Sequence, residues 1–280
     1  MDNIRKMVLM LLTVATMATV SCSDDAASPI EPGTPNGEKG RLAKTLEGAL
    51  TEWVLHGETV KTELFLEYGG YPCTKKYIWD GDRLLKIEGY DDEDNPTQYC
   101  EIVYNDGQPT QFNVYKANGE VRRSYTLEYD ADGHWAGAAD GDSEYSMTYN
   151  NNGELTSLHH HDDKEDWSDY YEWSQGNIIK TIDGDGETYY SYDQYPSAYQ
   201  GLPSCISLWL DDYFVSFLSK NNMTEKREED GHREWSYKYS NGVPIVRMRK
   251  WSETESNDTI ISKYDIMYFE YTDGTGRINH

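Results

Sequence analysis

Basic residues are scarce in this chain: 25 Lys and Arg stand against 50 Asp and Glu, a formal net charge of -25. That excludes nucleic acid as a partner, because phosphate binding needs a stripe of Lys and Arg. Anionic lipid heads are repelled for the same reason. Cysteines number four and none fall in CxxC spacing, which removes the usual zinc and dithiol frameworks. An HExxH helix, a phosphate-cradling glycine loop and a G-x-S-x-G elbow are all missing, so the sequence offers no catalytic residue to name. After residue 20 no apolar run reaches the roughly 20 residues that a membrane-spanning helix requires. Phenylalanine is rare, at five, against 24 Tyr and eight Trp. Nearly every ring therefore carries a polar handle, as partly open sheets and binding faces require.

What is present begins with a sorting label. Arg5 and Lys6 precede an apolar run from Met7 to Val20 that is too short to span a bilayer, so residues 1–21 are expected to be a signal peptide. The segment ends in "TVSC", which resembles the lipobox of bacterial lipoproteins and implies acylation and membrane attachment through Cys22. Residues 22–40, with Pro29, Pro32 and Pro35 among Gly, Ser and acids, suit a flexible tether. Asp24 and Asp25 just after Cys22 resemble the acidic tether of outer-membrane lipoproteins of Gram-negative bacteria. That likeness implies display on the cell exterior, with the periplasmic face as the alternative. Residues 41–280 are expected to form a single domain, since no second linker follows.

Within that domain one phrase keeps returning: "YTLEYDADG" from Tyr125, "YSMTYNNNG" from Tyr145, "YEWSQGN" from Tyr171 and "WSYKYSNG" from Trp235. Tyr125, Leu127 and Tyr129 alternate with Thr126 and Glu128, a period of two that means a strand with one buried face. Gly81, Gly107, Gly133, Gly153, Gly176 and Gly242 follow the phrases and mark hairpin turns. Second turn signals between them, such as "KANG" and "DGDG", make each repeat two strands joined up and down. The expectation is an all-β, antiparallel meander of repeated β-hairpins.

The returning strands rhyme too, as in "DRLLKIEG" from Asp82 and "GNIIKTID" from Gly176. Tyr-x-Tyr-acid-x-x-Gly with such a return resembles the YD repeat of RHS-type proteins, and residues 60 to 275 are similar to surface lipoproteins of a domain-of-unknown-function family. The resemblance implies a curled sheet with its aromatic face inside, and no shared catalytic residues. The rhyme breaks at Leu202–Thr224, where Leu210, Phe214, Phe217 and Leu218 at helical spacing predict one short helix near 207–220 that packs on the sheet or plugs its end. Arg41–Val54 reads equally as helix or strand.

Candidate chemistry is sparse. "DGDGE" sets Asp183, Asp185 and Glu187 at EF-hand spacing, but Thr188 and Gln194 occupy the places of the required Gly and Glu. "DADGHW" fails sooner, at His134 and Trp135. His159 and His161 share a strand face without a third ligand, so no metal or other cofactor is expected. Cys73 and Cys100 could pair, although buried free thiols, Cys205 included, are the expectation. Trp167, Tyr170, Tyr171 and Trp173 form the candidate platform for a glycan or protein ligand. Thr259, in "DTI", resembles an acceptor for bacterial O-glycosylation. The leading expectation is a non-enzymatic binding or envelope-interaction module. The alternative is a carbohydrate-active hydrolase using a carboxylate pair that the sequence does not single out.

Overall fold

Polar residues alternate with rings and branched side chains through most of the repeats, and pleated strands are the backbone that buries one such set on a single face. A computed structural model describes residues 40–275 apart from 56–57, 66–73, 142, 210–213, 230, 255–258 and 274. The expected signal peptide, Cys22, the tether up to residue 39, and Cys73 lie outside the described residues.

The strands run β1 Leu42–Leu55, β2 Glu58–Phe65, β3 Thr74–Asp80, β4 Arg83–Tyr90, β5 Pro96–Asn105 and β6 Gln108–Lys116. They continue as β7 Val121–Tyr129, β8 Trp135–Asp140, β9 Ser143–Tyr149, β10 Leu155–His161, β11 Asp166–Ser174 and β12 Asn177–Asp183. The last are β13 Gly186–Pro196, β14 Asn221–Arg227, β15 His232–Ser240, β16 Val243–Thr254 and β17 Thr259–Tyr271. The ambiguous segment 41–54 is therefore strand.

From β3 onward every strand pairs antiparallel with the next. β17 then pairs with β1 from Leu42 opposite Tyr271 to Leu55 opposite Thr259. β1 reaches β3 through Lys44–Leu46, and holds β2 farther along the same edge through residues 49–55. β2 and β3 thus act as one interrupted strand, and the wall is a closed barrel of sixteen. The expected open, curled strip is corrected to a barrel. β1 and β17, 14 and 13 residues long, satisfy each other's edge where an open strip would leave both unpaired.

The six marker glycines all fall on one rim, because each follows an odd-numbered strand from β3 to β11 or β15. Three of these turns put two consecutive residues at positive φ, Asp106–Gly107, Gln175–Gly176 and Asn241–Gly242, the backbone that matches the twist of paired strands. Asp and Asn side-chain oxygens lock the longer turns. Asp130 Oδ1 accepts the N–H groups of Asp132 and His134, and Asn150 Oδ1 accepts those of Asn152 and Glu154. Asp183 Oδ1 does the same for Asp185 and Gly186.

The rings have an equally regular task. Trp79 Nε1 donates to the Leu42 carbonyl, Tyr104 to Leu84, Tyr149 to Trp135 and Trp173 to Leu155. Tyr192 donates to Ile178, Tyr237 to Met223 and Tyr271 to Pro244. In each case the ring of one strand satisfies a carbonyl near the start of the strand before it. The rings bury apolar area while their polar tips tie hairpin to hairpin.

The break in the rhyme lies inside the barrel. Between β13 and β14 the chain turns inward at the rim of the marker glycines and buries Ala198, Tyr199, Cys205 and Ile206 in the core. Tyr199 donates to Met267 Sδ at 3.2 Å on β17, and the Phe214 ring lies 5.7 Å from Tyr171 on β11, so this plug spans the bore. Burying Ile206 completely contributes about 2 kcal/mol. Where one short helix is expected near 207–220, the described residues hold a helix Phe214–Leu218, preceded by a 3-10 turn Ser204–Leu208, with 210–213 outside the description.

Outside, the wall carries charged and polar groups along its length, with Ile78, Leu85, Val103 and Ile179 exposed among them. Glu101, Glu128, Ser146, Thr148, Glu172, Lys180 and Glu187 point away from the core, alternating with buried neighbours. This reverses a lipid-embedded barrel, which is apolar outside and polar within. One apolar cluster on the outer face, Ile266 and Tyr268 with Leu46, Val246 and Met248, crosses β1, β16 and β17.

Candidate binding mouth

The plug fills one half of the bore. The other half, toward the rim formed by the β4–β5, β6–β7, β8–β9, β10–β11, β12–β13 and β14–β15 turns, has a different lining. Strand parity brings rings and charged groups together there.

A ladder of rings crosses from β6 to β11: Phe112 to Tyr125 at 6.3 Å, Tyr125 to Tyr145 at 6.2 Å, Tyr145 to His160 at 4.6 Å, and His160 to Trp167 at 5.1 Å. His160 is 5 % exposed, and its Nε2 lies 3.9 Å from Asp162. Next on β11 comes Asp169, which accepts the Tyr171 hydroxyl at 3.3 Å. Burial first, and then the Asp183 carboxylate, push the Asp169 acid up to about 6, against the pull of Tyr171. The same burial raises Tyr171 and Tyr190, and Tyr190 hydrogen-bonds Thr181 at 3.0 Å.

Around the ring the charges are matched. Lys75, only 6 % exposed, pairs with Glu47 at 2.6 Å; Arg123 pairs with Asp140 at 3.4 Å, and Lys226 with Glu228 at 2.5 Å. Arg249 pairs with Asp265. Three of the four buried polar atoms without a hydrogen-bond partner among the described residues belong to this lining: Thr45 Oγ1, His160 Nδ1 and Asp265 Oδ1. Such atoms call for water or a ligand.

The expected platform is divided by the pleat. Trp167, Tyr171 and Trp173 face the interior, where Trp173 ties to Leu155, while Tyr170 alone stands outside at 54 % exposed. Trp167 is the member that reaches the mouth. Thr259 opens β17 beside the undescribed residues 255–258. His159 and His161 share the outer face, near Ser168 and Asp166. The one cluster with metal-ligand spacing among the described residues is Asp130, Asp132 and His134, whose acid is occupied in locking its turn and whose His134 ring stacks on Tyr149. Cys100 and Cys205 are buried and free. Sequence reasoning passed over His160, Asp169 and the lining bases. The signal that finds them is parity counted from the rim opposite the plug.

No family model and no curated protein matches the sequence. The barrel is similar to a porin-like protein from Bacteroides uniformis, with a TM-score of 0.48 and 13 % identity over 82 % of this chain and 98 % of that one. It is similar to a porin-like protein from Bacteroides vulgatus, at 0.37 and 11 % over 84 % and 99 %. It also resembles part of the Photorhabdus luminescens Tc holotoxin pore, at 0.31 and 10 %, covering 72 % of this chain and 14 % of that one.

Proposed function

We propose that this protein is a lipoprotein of the outer membrane, anchored through Cys22 and facing the cell exterior, that binds a glycan or protein ligand at the open mouth of its barrel without catalysing a reaction. The observation that carries this reading is the divided bore, filled by the plug toward one rim and lined by rings and charged groups on the inward face toward the other. Partly exposed Trp167 and Tyr145 offer faces for a sugar ring or an apolar side chain, and Asp169 and Asp140 offer acceptors beside them. The charged and polar outer wall supports attachment by acyl chains rather than by the barrel. The ring-to-carbonyl ties that recur from hairpin to hairpin, at Tyr104, Tyr149, Trp173 and Tyr237 among others, support kinship with YD repeats. The test is calorimetry of the full chain against panels of envelope and host glycans and proteins, with W167A and Y170A alongside. Binding that W167A abolishes and Y170A leaves intact supports the mouth; no binding from any panel overturns it.

A second reading has its own observation. Asp169, raised to about 6 by burial and then by the Asp183 carboxylate, is the kind of acid that can hold a proton near neutrality. Sugar release from a polysaccharide panel that D169N abolishes favours a hydrolase over a binding module.

A further inference from the structure

The wall of the mouth built by β16, β17, β1 and β3 is lined differently from the side that carries Asp169. Val246 and Met248 join their ladder partners Tyr268 and Ile266 in the outer cluster, so Arg247, opposite Met267, and Arg249, opposite Asp265, face the bore. Glu47 lies opposite Met267 from the other side, and Lys75 reaches it from β3. Among the described residues of this wall, the bases Lys75, Arg247 and Arg249 thus face inward with the acids Glu47 and Asp265. Three against two leaves a positive surplus of one, inside a chain whose net charge is -25.

Three neighbouring strands set their side chains in one row, with Trp235 of β15 opposite Arg249 and Arg249 opposite Asp265. Arg247 stands in the next inward row, between Tyr237 and Met267. Strand spacing and pleat put the Trp235 ring, both guanidinium groups and the Asp265 carboxylate within about 10 Å of one another, the reach of a disaccharide. Trp235 is half-buried, and Arg249 is paired with Asp265. Burial first raises the Asp265 acid, against the pull of Arg249 and then of Arg247, while Glu47 adds to the rise. Asp265 Oδ1 is nonetheless buried with no hydrogen-bond partner among the described residues. A buried acceptor in that state calls for a donor.

We infer that this wall is a subsite for an acidic sugar, whose carboxylate sits on Arg247 and Arg249, whose hydroxyl donates to Asp265 Oδ1, and whose ring lies on Trp235. The guanidinium fork matches a carboxylate in shape as well as charge. A carboxylate without hydroxyls, such as an acidic peptide brings, meets repulsion from Asp265 and Glu47 and leaves Oδ1 without its donor. A neutral sugar supplies the donor but leaves the positive surplus unused. An acidic sugar carries both groups on one rigid ring, with an apolar face for the indole. This inference rests on the reading that the mouth binds a ligand, and it names the ligand's class.

The experiment is calorimetry of the full chain with oligosaccharides of galacturonate, glucuronate and sialate, with their carboxyl-reduced forms, and with oligoglutamate. Wild type is compared with R247Q, R247K, W235A and K238Q, each checked for fold by circular dichroism. An acidic oligosaccharide binds, and reducing its carboxyl groups weakens binding by about tenfold or more. R247Q weakens the acidic form as much and leaves the reduced form unchanged, whereas R247K, which keeps the charge without the fork, loses less. W235A weakens both forms. K238Q, which removes an equal charge from the outer face opposite Val246, binds as wild type does. Reduced forms that bind as tightly as acidic ones, oligoglutamate that binds as tightly as the sugars, or R247Q that binds as wild type does, each overturns the subsite. If only neutral sugars bind, and W167A abolishes that binding, the subsite fails and the mouth stands; silence from every probe overturns both.

Discussion

The Tyr192 hydroxyl donates to the main-chain carbonyl of Ile178 at 2.6 Å and accepts from Ser219 Oγ at 3.0 Å. One side chain of β13 thus fastens both the strand before it and the end of the plug. Y192F removes the donor to the Ile178 carbonyl and the acceptor of the Ser219 hydroxyl, both in the interior, and is expected to cost about 1–3 kcal/mol in urea unfolding. Y170F, on the wet face of β11, is expected to change stability by less than about 0.5 kcal/mol. Equal costs for the two would dissolve the distinction between inward and outward rings.

Stability has two pH limbs of opposite sign. The Asp169 acid is raised from 3.8 to about 6 in the folded chain, so folding favours its proton; this contribution is complete below 3.8 and fades as pH climbs to about 6. D169N removes that downward slope. Glu225 is held down from 4.5 to about 2, by Ser191 first and Arg227 next, so its contribution is present above 4.5 and is lost as pH falls toward 2. E225Q flattens that acid limb alone. Urea midpoints across pH for the two variants separate the limbs.

Two marker glycines differ in what surrounds them. A Cβ on Gly107, at φ 86°, meets nothing within 4 Å, so G107A carries only backbone strain, about 1 kcal/mol. A Cβ on Gly153, at φ 75°, would come within 2.8 Å of His134 Nε2. G153A therefore also displaces the ring that stacks on Tyr149 and bonds Asp130, and its melting temperature falls further than that of G107A.

Burial pushes the Cys205 thiol up to about 12 and raises Cys100 likewise, so neither forms thiolate at neutral pH. Peptide mapping after treatment with an alkylating reagent should find both unmodified in the native chain and both labelled in urea. Labelling of Cys205 without denaturant would mean that the plug leaves the bore on its own.

Much of this architecture was legible in short stretches. "YTLEYDADG" predicts a strand, an inward pair of rings and a turn at its glycine, and Tyr125, Tyr129 and Gly133 behave so because period two and turn chemistry are local properties. Closure was not legible, since the contact between Leu42 and Tyr271 joins opposite ends of the chain and nothing near either residue announces it. The site suffered in the same way. His160 and Trp167 are neighbours in space through register alone, and Asp169 holds its proton to a higher pH through burial first and then through Asp183 on another strand. Grouping Tyr170 with Trp167 failed because adjacency in sequence is opposition in a pleat.

The backbone enters and leaves at the plugged rim, where Thr272 N–H donates to the Arg41 carbonyl at 2.8 Å and Arg41 reaches the Gly81 carbonyl at 2.6 Å. Anything fastened ahead of residue 40 therefore holds the molecule by its stopper, like a goblet by the foot. The opposite rim, where His160, Asp169 and Trp167 face inward, is then the part of the barrel farthest from that point of attachment.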